Sequence, residues 1–345
     1  MDLSFHLTTL APLTISDLFN HFFAYTITGL ALGAIYALIA LGYTMVYGVL
    51  QLINFAHSEV FMYGTFAVAW VVFYLHGSSS VSQSLGSSLG LLGVALIAAM
   101  AMSAVIALLL ERVAYRPLIR RGAPKLIILI SAIGASFSLA EIMGLRDKIS
   151  GWFGLQDNLS TYVSQARNVY SMPVTIDPHG LFKIGDYKIT DVDLLVIVCA
   201  LVMMFALDLF VTRTRLGRGI RAVAQDPESA ALMGVNSTRV IQVTFLIGGL
   251  MAGVAATLYM LKIGSTRQNA GFILGVKAFT AAVMGGIGNL RGALVGGLVL
   301  GVVENWGSAI WGANWKDVVA FVLLVLILLV RPTGILGESL AKARA

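Results

Sequence analysis

The stretch 192–239, VDLLVIVCALVMMFALDLFVT followed by RTRLGRGIRAVAQDPESAALMGVNSTR, sets an apolar span directly against a basic polar island. The first part has the length of roughly 20 residues that a helix needs to cross the hydrocarbon of a bilayer, and it lacks the period-two alternation of a barrel strand. In the second part Arg213, Arg215, Arg218 and Arg221 crowd the start, which places the loop in the cytoplasm by the charge rule for short connections. Within the loop, Asp226 is a good N-cap, Pro227 suits the first helical position, Glu228 complements the positive helix end, and Gly234 is a C-terminal stop. These residues predict a two-turn helix over 227–233. A chain that only has to turn around needs no such helix, so 213–239 reads as a cytoplasmic coupling loop that docks a soluble partner.

The rest of the chain repeats the alternation of greasy spans and polar joints. With 58% hydrophobic and 12% charged residues among 345, and a mean hydropathy of +0.87, the chain cannot hide its apolar surface in one water-soluble core. The fold class is therefore all-α, a polytopic transmembrane helical bundle forming one domain over 1–345. Candidate spans fall near 22–48, 57–75, 91–111, 126–145, 192–212, 240–261, 273–287, 292–308 and 316–331. The Gly-rich segments between 273 and 308 fit two passes, one long helix or a broken re-entrant pair, so the count is about eight or nine.

Arg112, Arg116, Arg120, Arg121 and Lys125 share one connection without an acid, which places it in the cytoplasm too. The segment 146–191 mixes both signs with Gly, Pro and aromatic residues and reads as an extracytoplasmic excursion. Asp2 and Asp17 put the N-terminal stretch outside, while Arg331, Lys342 and Arg344 put the C-terminus in the cytoplasm; opposite ends favour nine crossings. Lys262 and Arg267 then fall awkwardly outside. No Lys or Arg precedes Arg112, so the first span lacks the basic flank of a cleaved signal peptide and is expected to be retained. The excess of basic residues clusters beside spans and reads as a topological signal, with no nucleic-acid partner expected; membrane lipid is the expected surroundings.

Gly288, Gly292 and Gly296 stand four apart, continued by Gly297 and Gly301, and Gly29 and Gly33 do the same in the first span, the spacing of close helix packing. Asn54, His57, Ser58 and Glu59, between the first two spans, are costly against lipid, so at membrane depth they must satisfy their own backbone or line a translocation path. His57, Ser58 and Glu59 are consecutive and cannot converge on one reacting atom, so no catalytic set is assigned and the chain is not read as an enzyme. The histidines His6, His21, His57, His76 and His179 lack ligand spacing, and the lone Cys199 permits no disulfide within the chain, so neither metal nor cofactor is expected. Glu141, Asp208 and Glu304 lie in or near spans and are candidate proton or sodium relays; the alternative, an ion-coupled secondary transporter, would use Glu59, Glu141 or Glu304. No Walker sequence is present, so ATP-driven action needs another chain.

The run Ala34-Ile-Tyr-Ala-Leu-Ile-Ala-Leu-Gly-Tyr-Thr-Met-Val-Tyr-Gly48 with Ile53-Asn-Phe-Ala-His57, then 215–234, Lys277-Ala-Phe279, Gly285-Gly-Ile-Gly-Asn-Leu-Arg-Gly-Ala293 and Arg331-Pro-Thr-Gly334, resembles the H-type membrane subunit of branched-chain amino-acid ABC importers. The motifs span most of the chain in the family's order; Ser58 stands where the family commonly has glycine, and 146–191 is long. The resemblance implies a plasma (inner) membrane permease working with a second permease subunit, two cytoplasmic ATP-binding subunits and an extracytoplasmic solute-binding protein. It also implies that Glu228, Ser229, Ala230 and Gly234, flanked by Arg221 and Asp226, form the loop that engages the ATPases. Branched-chain or related amino acids are the implied cargo, with urea or a short amide as the alternative.

Overall fold

A computed structural model describes residues 19, 21–76, 81–152, 154, 167–185 and 187–337. The residues Asp2, Asp17, Lys342 and Arg344, which bear on the orientation of the chain ends, lie outside this range. The long apolar runs form helices because a backbone in lipid must satisfy its own polar groups. In chain order these are α1 (Phe22–Leu50), α2 (His57–His76) and α3 (Leu85–Leu110), which runs through a π-helical turn at Glu111–Tyr115 into the short α4 (Arg116–Arg120). Then follow α5 (Lys125–Gly144), α6 (Arg146–Trp152), α7 (Asp191–Arg213), α8 (Arg215–Gln225), α9 (Pro227–Leu232), α10 (Ser237–Ile263), α11 (Ala270–Gly285), α12 (Leu290–Trp311) and α13 (Lys316–Val330). Eight of the helical segments are long and apolar enough to cross a bilayer, and α11, with 16 residues, is a shorter ninth.

Successive long helices reverse direction. At the basic end Lys125 Nζ donates to Gln51 Oε1 at 3.4 Å, Arg291 pairs with Asp208 at 3.0 Å, and the chain after α13 folds back so that Ile335 N–H donates to Met284 O at 2.8 Å. At the opposite end Met172 N–H donates to Gly264 O at 2.7 Å, and a Cβ on Gly185 would touch the Phe23 ring. The segment 273–308 is thus two antiparallel helices with a break at 286–289. Short strands, which the helical periodicity does not announce, also lie at the opposite end: β1 (Val81–Ser84) pairs parallel with β3 (Val174–Asp177), β2 (Tyr170–Ser171) pairs antiparallel with β6 (Ser265–Thr266), and β4 (Gly180–Ile184) pairs antiparallel with β5 (Tyr187–Thr190). Lys262 is accommodated at that end by an ion pair with the fully buried Asp193, whose other oxygen accepts from Tyr187 and Thr190 hydroxyls.

Helix α1 is the centre of the bundle, with most of its length buried, and α7 and α13 are peripheral, with exposed apolar faces. Glycine lets the backbones touch. A Cβ on Gly301 of α12 would lie 2.4 Å from Gly33 N of α1, and one on Gly297 would lie 2.6 Å from Ala37 Cα. Gly292 and Gly296 face α11, where added Cβ atoms would meet Gly285 O at 2.4 Å and Ala281 O at 2.1 Å. Gly288 is not part of this seam: the Asn289 side chain accepts from Arg291 N and Gly292 N and starts α12 after it. Gly288 has φ +94° with nothing within 4 Å of an added Cβ, so its glycine serves the turn.

Gly301→Val is expected to cost about 3 kcal/mol or more by forcing packed backbones apart, read as a lowered unfolding midpoint in detergent. Gly134→Ala, where an added Cβ meets nothing within 4 Å, should leave that midpoint unchanged or slightly raised.

Candidate functional site

After α1 ends at Gln51, whose φ of +50° reverses the chain, residues 51–56 climb back into the bundle and α2 begins beside Gly42. Gly42 stands two turns before Leu50, about 12 Å along a helix rising 1.5 Å per residue. Gly248 of α10, also beside the His57 ring, stands about 16 Å from the start of its helix. The polar start of α2 therefore sits deep within the bundle, at the level of the mid-sections of α1 and α10.

Asn54, His57, Ser58 and Glu59 are all buried. Asn54 Oδ1 accepts from the Tyr115 hydroxyl at 2.8 Å, and the π-turn that presents Tyr115 is braced by Arg116, which donates to both oxygens of Glu111 at 3.0 and 2.7 Å. The His57 ring stands edge-on to Tyr43 at 5.0 Å, and its Nε2 occupies space that a Cβ at position 42 would fill, 2.1 Å away. Ser58 Oγ donates to Phe55 O at 2.8 Å. Glu59 Oε1 accepts from Ser136 of α5 at 3.3 Å, whereas Glu59 Oε2 and His57 Nε2 have no hydrogen-bond partner among the described residues. Gly271 and Gly275 of α11 close over the group: a Cβ on Gly275 would lie 2.2 Å from Ser58 Cβ.

Toward the basic end this polar centre is sealed by aromatic rings, Tyr43 and Phe55 lying 6.1 and 5.8 Å from Phe279. Beneath them a small chamber touches Tyr47 and Ile287, and these two residues also line a larger cavity of about 720 Å³. The arrangement can hold polar groups at mid-depth behind a closed aromatic layer. Among the described residues no three His, Cys, Asp or Glu gather as a metal site.

The loop 213–239 carries α8, which the loop's basic run does not reveal, and then α9. Asp226 ends one and caps the other: its Oδ1 accepts from Glu228 N at 2.9 Å and Ser229 N at 3.2 Å, and its Oδ2 accepts from Ser229 Oγ. The Ser229 hydroxyl and then the two amides hold the Asp226 carboxyl below the usual carboxylate range. The cap is accordingly present above ordinary carboxylate titration and is lost only as pH falls through that lowered value. Gly234, at φ +85°, closes the helix while Val235 N–H donates to Ala230 O at 3.0 Å. Ala230 is buried and Glu228 exposed. Arg221 turns away from α9 and donates to Thr212 O at 3.3 Å. Leu232 and Met233, 88% and 85% exposed, add an apolar tip to the loop.

A second buried polar group had only its separate members visible in the sequence. Lys277 of α11 reaches Glu304 of α12 at 2.8 Å and Asp317 of α13 at 2.7 Å, and the Tyr36 hydroxyl approaches Glu304 Oε1 at 3.4 Å. Glu304 is thus paired, as are Glu141 with Arg167 and Asp208 with Arg291. Of the candidate relay acids, Glu141, Asp208 and Glu304 are each held by a cation, whereas Glu59 keeps Oε2 without a hydrogen-bond partner among the described residues. Lys277→Met should destabilise the protein by about 3–5 kcal/mol by stranding buried Glu304, and Lys277→Met with Glu304→Leu should recover much of it, measured by thermal unfolding in detergent.

Residues 25–328 match the family model described as the branched-chain amino acid transport system / permease component. The chain is similar to the high-affinity branched-chain amino acid transport system permease protein BraD of Pseudomonas aeruginosa, 41% identical over 92% of this chain and 96% of that protein. It is 39% identical to LivH of Escherichia coli, described in the same words, over 94% of this chain and 98% of that one. The probable branched-chain amino acid transport permease protein LivH of Methanocaldococcus jannaschii is 25% identical over 89% of this chain and 90% of its own length.

Proposed function

The chain belongs to the branched-chain amino acid transport system permease family, and from that membership we propose that it is the translocating subunit of an ATP-driven importer for branched-chain or closely related amino acids. The observation that carries the reading is the 41% identity with a branched-chain amino acid permease over 92% of this chain. The protein is a multi-pass membrane protein; its family implies the inner membrane, and the charge of its short loops supports an orientation with the basic end and the C-terminus in the cytoplasm. On this orientation 146–191 is the outer excursion, which a solute-binding protein would meet, and 213–239 is the coupling loop.

The α8–α9 segment supports an ATPase-docking role. A helix capped at both ends, exposing Glu228 and the apolar pair Leu232–Met233, is a rigid projection of the kind a partner groove accepts. The assembly would pair this chain with a second permease subunit and two ATP-binding subunits. Asn54, His57, Ser58 and Glu59 would border the path when the aromatic layer opens, since His57 Nε2 and Glu59 Oε2 lack partners in the closed arrangement. The secondary-transporter alternative is disfavoured by the family membership, and three of the candidate relays, Glu141, Asp208 and Glu304, are each paired with a cation.

Affinity purification of the tagged chain from its native membrane should recover ATP-binding subunits, and Glu228→Lys should lose them at normal expression and insertion. Failure of the wild-type chain to bring down any ATP-binding subunit in several mild detergents would overturn the reading. Gly234→Pro should abolish uptake for the same reason, since proline cannot adopt the positive φ at the helix stop.

A further inference from the structure

The cavity of about 720 Å³ at the basic end has a chemistry of its own. Its walls come from the end of α1, the end of α7, the helix α8 and the break before α12. Met45, Val211, Ile220 and Ile287 supply apolar surface, and Asp208, Arg221 and Arg291 supply charge. The volume falls in the roughly 300–1,000 Å³ range of small-molecule sites. Thr44 also stands on the wall, buried to 1% exposure, and its hydroxyl has no hydrogen-bond partner among the described residues.

The charges are paired in a telling way. Asp208, with a side chain only 23% exposed, pairs at 3.0 Å with Arg291, whose side chain is 70% exposed. Arg221 spends one donor on Thr212 O, and a guanidinium carries five N–H groups in all. One carboxylate beside two guanidiniums suits a ligand that carries both an ammonium and a carboxylate. A simple anion would face Asp208, and a simple cation would face two arginines. The cavity also abuts the chamber under the Tyr43–Phe279 layer, since Tyr47 and Ile287 line both.

The geometry points to this cavity as a binding site for a free zwitterionic amino acid on the basic face: ammonium on Asp208, carboxylate on Arg291 and Arg221, side chain against Met45 and Ile220. Taken with the importer reading, on which it rests, this is where cargo pauses before release and where accumulated amino acid can bind back from the cytoplasm.

The test uses the reconstituted complex in vesicles with the basic face outward, carrying Cys199→Ser to remove the native thiol and Ala224→Cys to put a reporter on the cavity wall. Labelling by a hydrophilic thiol reagent is timed with and without L-leucine. Only the empty fraction reacts, so leucine at twice its dissociation constant should slow labelling about threefold. Leucine methyl ester, which lacks the carboxylate, and isocaproate, which lacks the ammonium, should give no protection. Adding Asp208→Asn should remove the protection by leucine while the ligand-free labelling rate stays the same, which shows the wall is intact. Equal labelling with and without leucine, or protection that follows anionic lipid content and ignores leucine, would overturn the site. ATP-dependent uptake by the unlabelled complex, measured in parallel, separates the two levels. Uptake without protection overturns the site and leaves the importer reading; protection without uptake supports the site and overturns the importer reading.

Discussion

Backbone-to-backbone contact between α1 and α12 is the constraint on which the remaining packing depends. Lipid tails are as apolar as leucine, so helices in a bilayer gain little by hiding apolar side chains from them and associate through close packing and buried polar contacts. Gly29 and Gly33 against Gly297 and Gly301 bring two helices close enough that added Cβ atoms would overlap main-chain atoms. That contact leaves α1 enclosed on nearly all sides, which in turn makes it the wall of both the polar centre, through Gly42 and Tyr43, and the cavity, through Thr44, Met45 and Tyr47.

Once α1 is central, polar side chains around it have only protein to answer them, and most are answered. Glu111 takes Arg116, Asp193 takes Lys262, Glu304 takes Lys277, and Asn54 takes Tyr115. Among the described residues, buried side-chain atoms of Thr44, His57, Glu59, Gln268, Glu304 and Asn305 stay unpartnered, and the first three lie close to one stretch of α1 and the helix that starts beside it. Unmet hydrogen-bonding capacity in a closed bundle is costly. The three atoms beside α1 run from mid-depth toward the basic end, which supports the path proposed there.

The spans were legible because apolar length is a strong signal, and the capped helix at 227–232 because Asp226, Pro227 and Gly234 are punctuation with a local mechanism. Gly288 was not legible as a turn residue, since glycines four apart look alike whether a helix has begun or not, and only the cap from Asn289 decides the matter. The triad of Lys277, Glu304 and Asp317 was hidden for a different reason: its members lie on three helices, and no local period brings them together. The short strands at the opposite end pair segments as far apart as Val81 and Val174, beyond the reach of any local pattern. Lys262 looked misplaced until Asp193, distant in sequence, supplied its partner.

The joint between α8 and α9 shows how a force on the loop could reach the path under the importer reading. Asp226 ends α8 with its backbone N–H, which donates to Ala222 O, and caps α9 with its side chain, so no flexible linker separates the two helices. The far end of α8 is equally constrained: a Cβ on Gly217 would lie 2.3 Å from Val211 O of α7. Ile220, Arg221 and Ala224 of α8 form one wall of the cavity. A helix pinned at Gly217 and pulled at Asp226 cannot move without tilting that wall, so motion of a docked partner would alter the volume beside Tyr47 and Ile287, where the cavity meets the closed aromatic layer.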